Sequence, residues 1–371
     1  MRKILRYLCI LLAAALVFFA AKYLDEGPAK EKTPAVLQET QGRETYAEEA
    51  PVTEPVSSQT VPEETTPSTE PVKEGSFLLS FVGDCTLGCR DSHSYIDIGF
   101  TKVVGEDYGY PFRNVLDYFE KDEATFINLE GALTDEGNAR QKAHTFRGPT
   151  SYVNILTQNS VEFASLANNH TMDYNQLGYD STKATLENAG VPYVERDSST
   201  IFTTENGLTV GVYGAVYYLL DEKVITAAIS ELSEQVDLVI FAPHWGTEKS
   251  YNPLQDQIDL AHAVIDAGAD IVWGSHPHAL QPIEEYNDGI IFYSMGNFSF
   301  GGNIYPEDYD SALIQQEVLV ADDGSVSLGE TVIVPVCISG HADRNDFQPV
   351  PYEEGTEEYD RVLAKLSGTW K

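Results

Sequence analysis

Phe77-Leu78-Leu79-Ser80-Phe81-Val82 is a short apolar run that stops abruptly at Gly83-Asp84, and the same pattern recurs down the chain. A run of this length and composition, bounded by glycine, reads as a buried strand. Further runs lie at 124–129, 161–166, 208–216, 236–242, 269–273 and 289–293. Between them, 112–119, 152–158, 179–189 and 254–267 carry apolar residues at helical spacing. Strands alternating with helices predict an α/β domain. Near the end, two apolar stretches, 313–320 and 326–336, flank Asp322-Asp323-Gly324 and predict an antiparallel hairpin. The expectation is a mixed sheet, or two stacked sheets, flanked by helices.

In α/β folds ligands bind at the carboxyl ends of the strands, so the residues that close each run are informative. The endings are Gly83-Asp84, Asn128-Leu129-Glu130, Asn168-Asn169-His170, His244-Trp245-Gly246, Ser275-His276-Pro277-His278 and Gly296-Asn297. Four histidines and two carboxylates are thereby expected on one edge. Carboxylate, amide oxygen and imidazole together suit Zn²⁺, Mn²⁺ or Fe²⁺ rather than an all-oxygen calcium cage. Two cations sharing one carboxylate would account for the number of donors and would make a nucleophile from water. Duller roles exist for each residue alone: Asp84 as a helix cap, Glu130 as a solvated acid, one of the two asparagines as a turn former, His244 as a buried imidazole. Their joint occurrence at strand ends favours the metal reading. His262, within a helix, and His341, in a late loop, are read as structural.

Charge locates the protein and limits its partners. The chain has 371 residues, with 58 Asp+Glu against 23 Lys+Arg and a net charge of −35. A nucleic-acid-binding surface would be basic, so that class is excluded. Residues 1–24 hold Arg2, Lys3, Arg6 and Lys22 without an acid, around the apolar run 7–21. This reads as an uncleaved N-in membrane anchor, with a cleaved signal peptide or a buried helix as alternatives. Residues 25–75 hold seven prolines and twelve acids, and read as an extended tether or, alternatively, an acidic binding arm. The body, 76–371, lies outside the cytoplasm on this reading. It retains a charge of −31, so an anionic substrate needs a local positive centre. The body's three cysteines, Cys85, Cys89 and Cys337, allow at most one disulfide.

Taken in order, Phe81-Val82-Gly83-Asp84-Cys85-Thr86-Leu87-Gly88, Asn128-Leu129-Glu130-Gly131, Ala167-Asn168-Asn169-His170-Thr171-Met172-Asp173, His244-Trp245-Gly246-Thr247-Glu248, Gly274-Ser275-His276-Pro277-His278 and Tyr293-Ser294-Met295-Gly296-Asn297-Phe298 resemble the capsule-synthesis CapA family. That family is associated with poly-γ-glutamate production and is related to calcineurin-like metallophosphatases. The resemblance implies a metallophosphatase-like sandwich of two sheets covered by helices. It implies Asp84, Glu130 and His278 around one divalent cation and Glu130, Asn169, His244 and His276 around a second, with Glu130 bridging. His170 matches the histidine that protonates a leaving group or stabilises developing charge. Arg147, in Phe146-Arg147-Gly148-Pro149, matches a basic position suited to a carboxylate or phosphate, or else forms a surface ion pair. Glu248, four residues after His244, reads either as a support behind a histidine ligand or as a solvated loop acid, and Asp173 as a residue that orients His170.

One departure bears on mechanism. Metallophosphatases carry Asp-x-His at the first strand end, whereas Thr86 stands at the third position here, and Cys85, Cys89 and His93 are the nearby substitutes. A longer Glu130 also replaces the bridging aspartate. Three functions are therefore expected in competition. The first is a membrane-anchored, extracytoplasmic component of poly-γ-glutamate synthesis or export that grips or hydrolyses the polymer or another anionic envelope substrate. The second is a metal-dependent phosphoesterase. The third is a docking module for a membrane synthetase or transporter.

Overall fold

The structure, a computed structural model, describes residues 75–216 and 221–370. The anchor expected over 1–24 and the tether over 25–75 lie outside these, apart from Gly75. Among the described residues no helix is long and apolar enough to cross a membrane. In chain order the strands are β1 (Gly75–Thr86), β2 (Ala124–Leu129), β3 (Ala132–Leu133), β4 (Arg147–Gly148), β5 (Phe163–Ser165), β6 (Tyr193–Val194), β7 (Ser198–Thr203), β8 (Thr209–Val216), β9 (Leu238–His244), β10 (Ile271–Trp273), β11 (Ile283–Tyr286), β12 (Gly289–Phe292), β13 (Asn297–Phe300), β14 (Asp310–Val320), β15 (Val326–Cys337) and β16 (Val350–Pro351). The longer helices are α1 (Asn175–Ala189), α2 (Glu222–Ser233), α3 (Gln255–Asp266) and α4 (Glu357–Leu366).

One sheet runs β16-β15-β14-β1-β2-β5-β6, with β13 beside the end of β1, and the other runs β11-β12-β10-β9-β8-β7. The neighbours β1, β2, β5 and β6 are parallel, as are β8, β9, β10 and β12. β14 and β15 form the expected antiparallel hairpin. Period-two alternation makes the sandwich. Leu79 and Phe81 of β1, Phe126 of β2, Val210 and Val212 of β8, Leu238 and Ile240 of β9, and Ile271 and Trp273 of β10 share one core between the sheets. The intervening Val239, Phe241 and Val272 turn outward onto α2 and α3. The opposite face of the first sheet packs Val82, Ile127 and Ala164 beneath the helices that follow β1, β2 and β5. Phe81 sits at the centre of the interlayer core, 4.9 Å from Phe126 and 5.9 Å from Trp273 by ring centroid.

Three differences from the sequence reading have local causes. The helix expected over 112–119 is confined to Leu116–Phe119, because a series of turns precedes it, yet Phe112, Val115 and Phe119 are buried as helical spacing anticipated. The fifth run extends to His244, so that histidine is the last residue of β9 instead of a loop residue. Helix α2, whose N-cap Asp221 accepts from the backbone N–H groups of Lys223 and Val224, buries Ile225, Ile229 and Leu232 without having been read as a helix.

Candidate metal centre

Parallel strands deliver their carboxyl ends to one rim. Asp84 lies near the end of β1, Glu130 follows β2, Asn168, Asn169 and His170 follow β5, His244 ends β9, and His276 and His278 follow β10. Backbone bonds fix the convergence: Asp84 N–H donates to Gly296 O at 2.8 Å, and Trp245 N–H donates to Ser275 O at 3.0 Å. Position 83 must be glycine, since a Cβ there would lie 2.0 Å from Gly296 O. His276 and His278 hold φ of +96° and +54°. Such conformations cost about 1–3 kcal/mol each and persist only where the surroundings impose them. The His-Pro-His turn accepts that cost in placing both imidazoles at the rim.

Asp84 is fully buried; its Oδ1 accepts from Asn128 Nδ2 at 2.8 Å and its Oδ2 lies 3.0 Å from His278 Nδ1. Glu130 is equally buried, yet neither of its carboxylate oxygens has a hydrogen-bond partner. Around Glu130 Oε1 stand three Nε2 atoms, of His170 at 3.7 Å, His278 at 3.7 Å and His244 at 3.9 Å. These separations are too long for hydrogen bonds. Those to His278 and His244 suit a carboxylate oxygen and an imidazole nitrogen on a shared cation, each about 2.0–2.2 Å from it. A partnerless buried carboxylate is costly, and a divalent cation among these donors removes that cost, so the residues fit the group the chemistry calls for. A second convergence centres on His244 Nε2, which lies 3.0 Å from Asn169 Oδ1 and 3.1 Å from His276 Nδ1. On its other side His244 Nδ1 meets Ser275 Oγ at 2.8 Å, which fixes the ring.

Protonation follows burial and neighbouring charge. Burial, with His276 and His278, holds His244 well below its ordinary value, and burial with His278 brings His276 down to about 3. Both rings are therefore in the neutral form that ligates a metal. Burial pushes Glu130 up to about 8, against the opposing pull of His278. At His278 burial works downward, but Glu130 and Asp84 prevail and raise it to about 10. Glu130 and His278 thus hold protons near neutral pH that a bound cation would displace.

His170 has a separate scaffold. Its Nδ1 lies 2.7 Å from Asp173 Oδ2, which also accepts from Phe146 N–H at 2.7 Å, while Asp173 Oδ1 pairs with Lys142 Nζ at 2.8 Å. Asp173 therefore stands where it orients His170. Burial lowers the His170 pKa despite the opposing effect of Asp173. The Phe146 ring packs 4.5 Å from the His170 ring, and Phe300 lies 5.2 Å from His278, so aromatic side chains wall this side.

The remaining expected site residues lie apart from the buried cluster or at its mouth. Arg147 Nε pairs with Asp91 Oδ1 at 2.9 Å and its guanidinium lies 4.8 Å from the Tyr174 ring centroid, lining a separate cavity of about 200 Å³. Its ion-pair reading, not a contact with the cluster, is what the geometry shows. Glu248 is exposed at the mouth, with a carboxylate oxygen within 4.8 Å of ligating atoms of His276 and His278. Thr86 Oγ1 donates to Glu130 O at 2.9 Å and so braces the backbone of the central carboxylate. The three cysteines of the body are free thiols; Cys85 is buried with its pKa driven up, and Cys89 Sγ lies 3.7 Å from Thr101 Oγ1. None of them joins the donor groups among the described residues.

Several participants received no role from the sequence. Asn128 links Asp84 to Asn168, which donates to Asn128 Oδ1 at 3.0 Å, and Asn297 Oδ1 lies 2.9 Å from His278 Nδ1. Both sit inside the strand-end motifs, so their position was the available signal. Lys142 and Arg90 had none. Arg90 lies 5.9 Å from the Phe146 ring centroid, and its Nε has no hydrogen-bond partner.

The fold and rim define an α/β sandwich whose strand ends gather side chains that could hold a divalent metal ion. Residues 78–302 match the family described as bacterial capsule synthesis protein PGA_cap, and the chain belongs to that family. It is 31% identical over 326 residues to the PGA biosynthesis protein CapA of Bacillus subtilis (strain 168), covering 81% of this chain and 80% of the relative. It is 30% identical over 291 residues to the capsule biosynthesis protein CapA of Bacillus anthracis, covering 70% and 67%. Among solved structures, a putative 5'-nucleotidase from Staphylococcus aureus in complex with alpha-ketoglutarate aligns with a TM-score of 0.43 at 13% identity, covering 79% of this chain and 58% of that one.

Proposed function

We propose that the protein acts in poly-γ-glutamate capsule production at the cell envelope, held by its first 24 residues with the body outside the cytoplasm. Its metal centre takes hold of a carboxylate of the polymer, or of another anionic envelope substrate, and membrane synthetase or transporter components are its natural partners. The observation that carries this reading is Glu130, a fully buried carboxylate with no hydrogen-bond partner and three imidazole nitrogens 3.7–3.9 Å away. Asp84, Glu130 and His278 would hold one Mn²⁺, Zn²⁺ or Fe²⁺ ion, with Glu130, Asn169, His244 and His276 as donors to a second. A bound cation supplies the positive charge that the body lacks and Lewis acidity toward an anionic group.

The chain's own residues do the rest. Asp173, itself paired with Lys142, fixes the His170 ring through Nδ1, which turns its Nε2 toward Glu130 as a proton acceptor that delivers a proton to a leaving group only after taking one up. Arg90 adds a cation beside the Phe146 wall for a further carboxylate of a long polyanion. The relatives named as capsule and PGA biosynthesis proteins support this substrate class over others.

The test uses the protein loaded with Mn²⁺ or Zn²⁺ and two separate substrates, poly-γ-glutamate and an aryl phosphoester. Metal-dependent binding or shortening of the polymer that disappears in Glu130→Gln is expected. Ester turnover lost in Asn169→Ala, with the polymer untouched, would replace the proposal with phosphoester hydrolysis. Neither substrate being engaged, while polymer yield in cells still depends on the protein, would replace it with a docking role.

A further inference from the structure

Glu248 lies outside the buried donor groups, yet it is held close to them. The segment that carries it turns at Gly246, with φ of +84°, and Lys249 N–H donates to Pro277 O at 2.7 Å. That bond ties the loop after β9 to the His-Pro-His turn. It leaves the Glu248 carboxylate at the solvent side of His276 and His278, with one ligating atom from each of the three residues within 4.8 Å of the others. Among the described residues this is the second such group, and it shares His278 with the buried Asp84, Glu130 and His278 group.

Resting on the reading of this rim as a metal centre, we infer that Glu248, His276 and His278 form an additional, solvent-side position for a divalent cation. It is the weaker position. The inner group combines two fully buried carboxylates, whereas Glu248 is exposed and screened by water. A cation held at the mouth keeps open coordination positions toward solvent. It therefore offers an incoming carboxylate a first point of attachment ahead of the buried centre.

The experiment is equilibrium dialysis and calorimetric titration of the whole protein with Mn²⁺ and, separately, Zn²⁺, without any polymer. The wild type is expected to bind one cation more than Glu248→Gln, which loses the weakest binding phase while its tighter binding stays within about twofold. Asp84→Asn is expected to do the reverse, losing tight binding. Equal stoichiometry in wild type and Glu248→Gln, with the weakest phase unchanged within about twofold, overturns the inference. The isosteric change at an exposed side chain leaves folding unaffected, and far-ultraviolet circular dichroism checks that. If the wild type shows the extra cation but engages no poly-γ-glutamate, the proposed function fails and this inference stands. If polymer is engaged and Glu248→Gln binds as many cations as the wild type, only the inference fails.

Discussion

Glu130→Gln is expected to stabilise the metal-free protein and to destabilise the metal-loaded one relative to wild type. In the unfolded chain this carboxyl ionises near its ordinary 4.5, whereas burial raises it to about 8 in the folded protein. Between those values the folded state holds a proton that the unfolded state has released. Stability from this group is therefore complete below pH 4.5, is lost as pH rises through the window to about 8, and changes no further above it. Each pH unit within the window removes at most about 1.4 kcal/mol, and the attraction between Glu130 and His278 offsets part of that loss. Glutamine cannot ionise and escapes the loss. With saturating cation the order reverses, because binding at about a thousand times Kd adds about 4 kcal/mol that the variant largely forgoes. Urea denaturation in chelator near pH 5, 7 and 8.5, repeated with excess Mn²⁺, reads both effects. The reasoning is refuted if the variant in chelator is less stable than wild type at every pH.

Other perturbations address separate parts of the rim. His276→Ala and His244→Ala are each expected to lower cation affinity at least about tenfold, read as metal content after dialysis, since both neutral rings act as donors. Asp173→Asn is expected to leave metal content intact while slowing any proton-dependent turnover about a hundredfold and shifting its pH profile, because His170 loses the group that orients it. Gly83→Ala forces a Cβ to 2.0 Å from Gly296 O; a loss of about 3 kcal/mol or more in denaturant stability, together with loss of bound metal, is expected.

The strands were legible because they are buried on both faces and read as continuous apolar runs. Phe81 and Val82 point to different cores but are equally apolar, which is why the run ending at Gly83 stands out. Edge strand β7, Ser198–Thr203, has alternating half-buried and exposed positions and gave no such signal. The histidines and acids of the rim were legible for the same reason, as polar residues terminating apolar runs. Partition among them was not. That His276 Nδ1 faces His244 Nε2 while His276 also shares the mouth with Glu248 depends on the +96° backbone of His276, which no spacing announces. Arg147 shows the converse. An arginine in an acidic chain invites a substrate role, and the partner it has in the structure is Asp91, distant in sequence.

The central claim is that Glu130 is the shared carboxylate of a metal centre. Crystals of the protein grown with Mn²⁺ or Zn²⁺, measured on both sides of the absorption edge, test it most directly. An anomalous peak about 2.0–2.2 Å from a Glu130 oxygen and an imidazole nitrogen of His278 or His244 is the predicted result. A map without any peak between Asp84, Glu130 and His244 at saturating metal, with Glu130 instead bonded to water or to a protein donor, would contradict it.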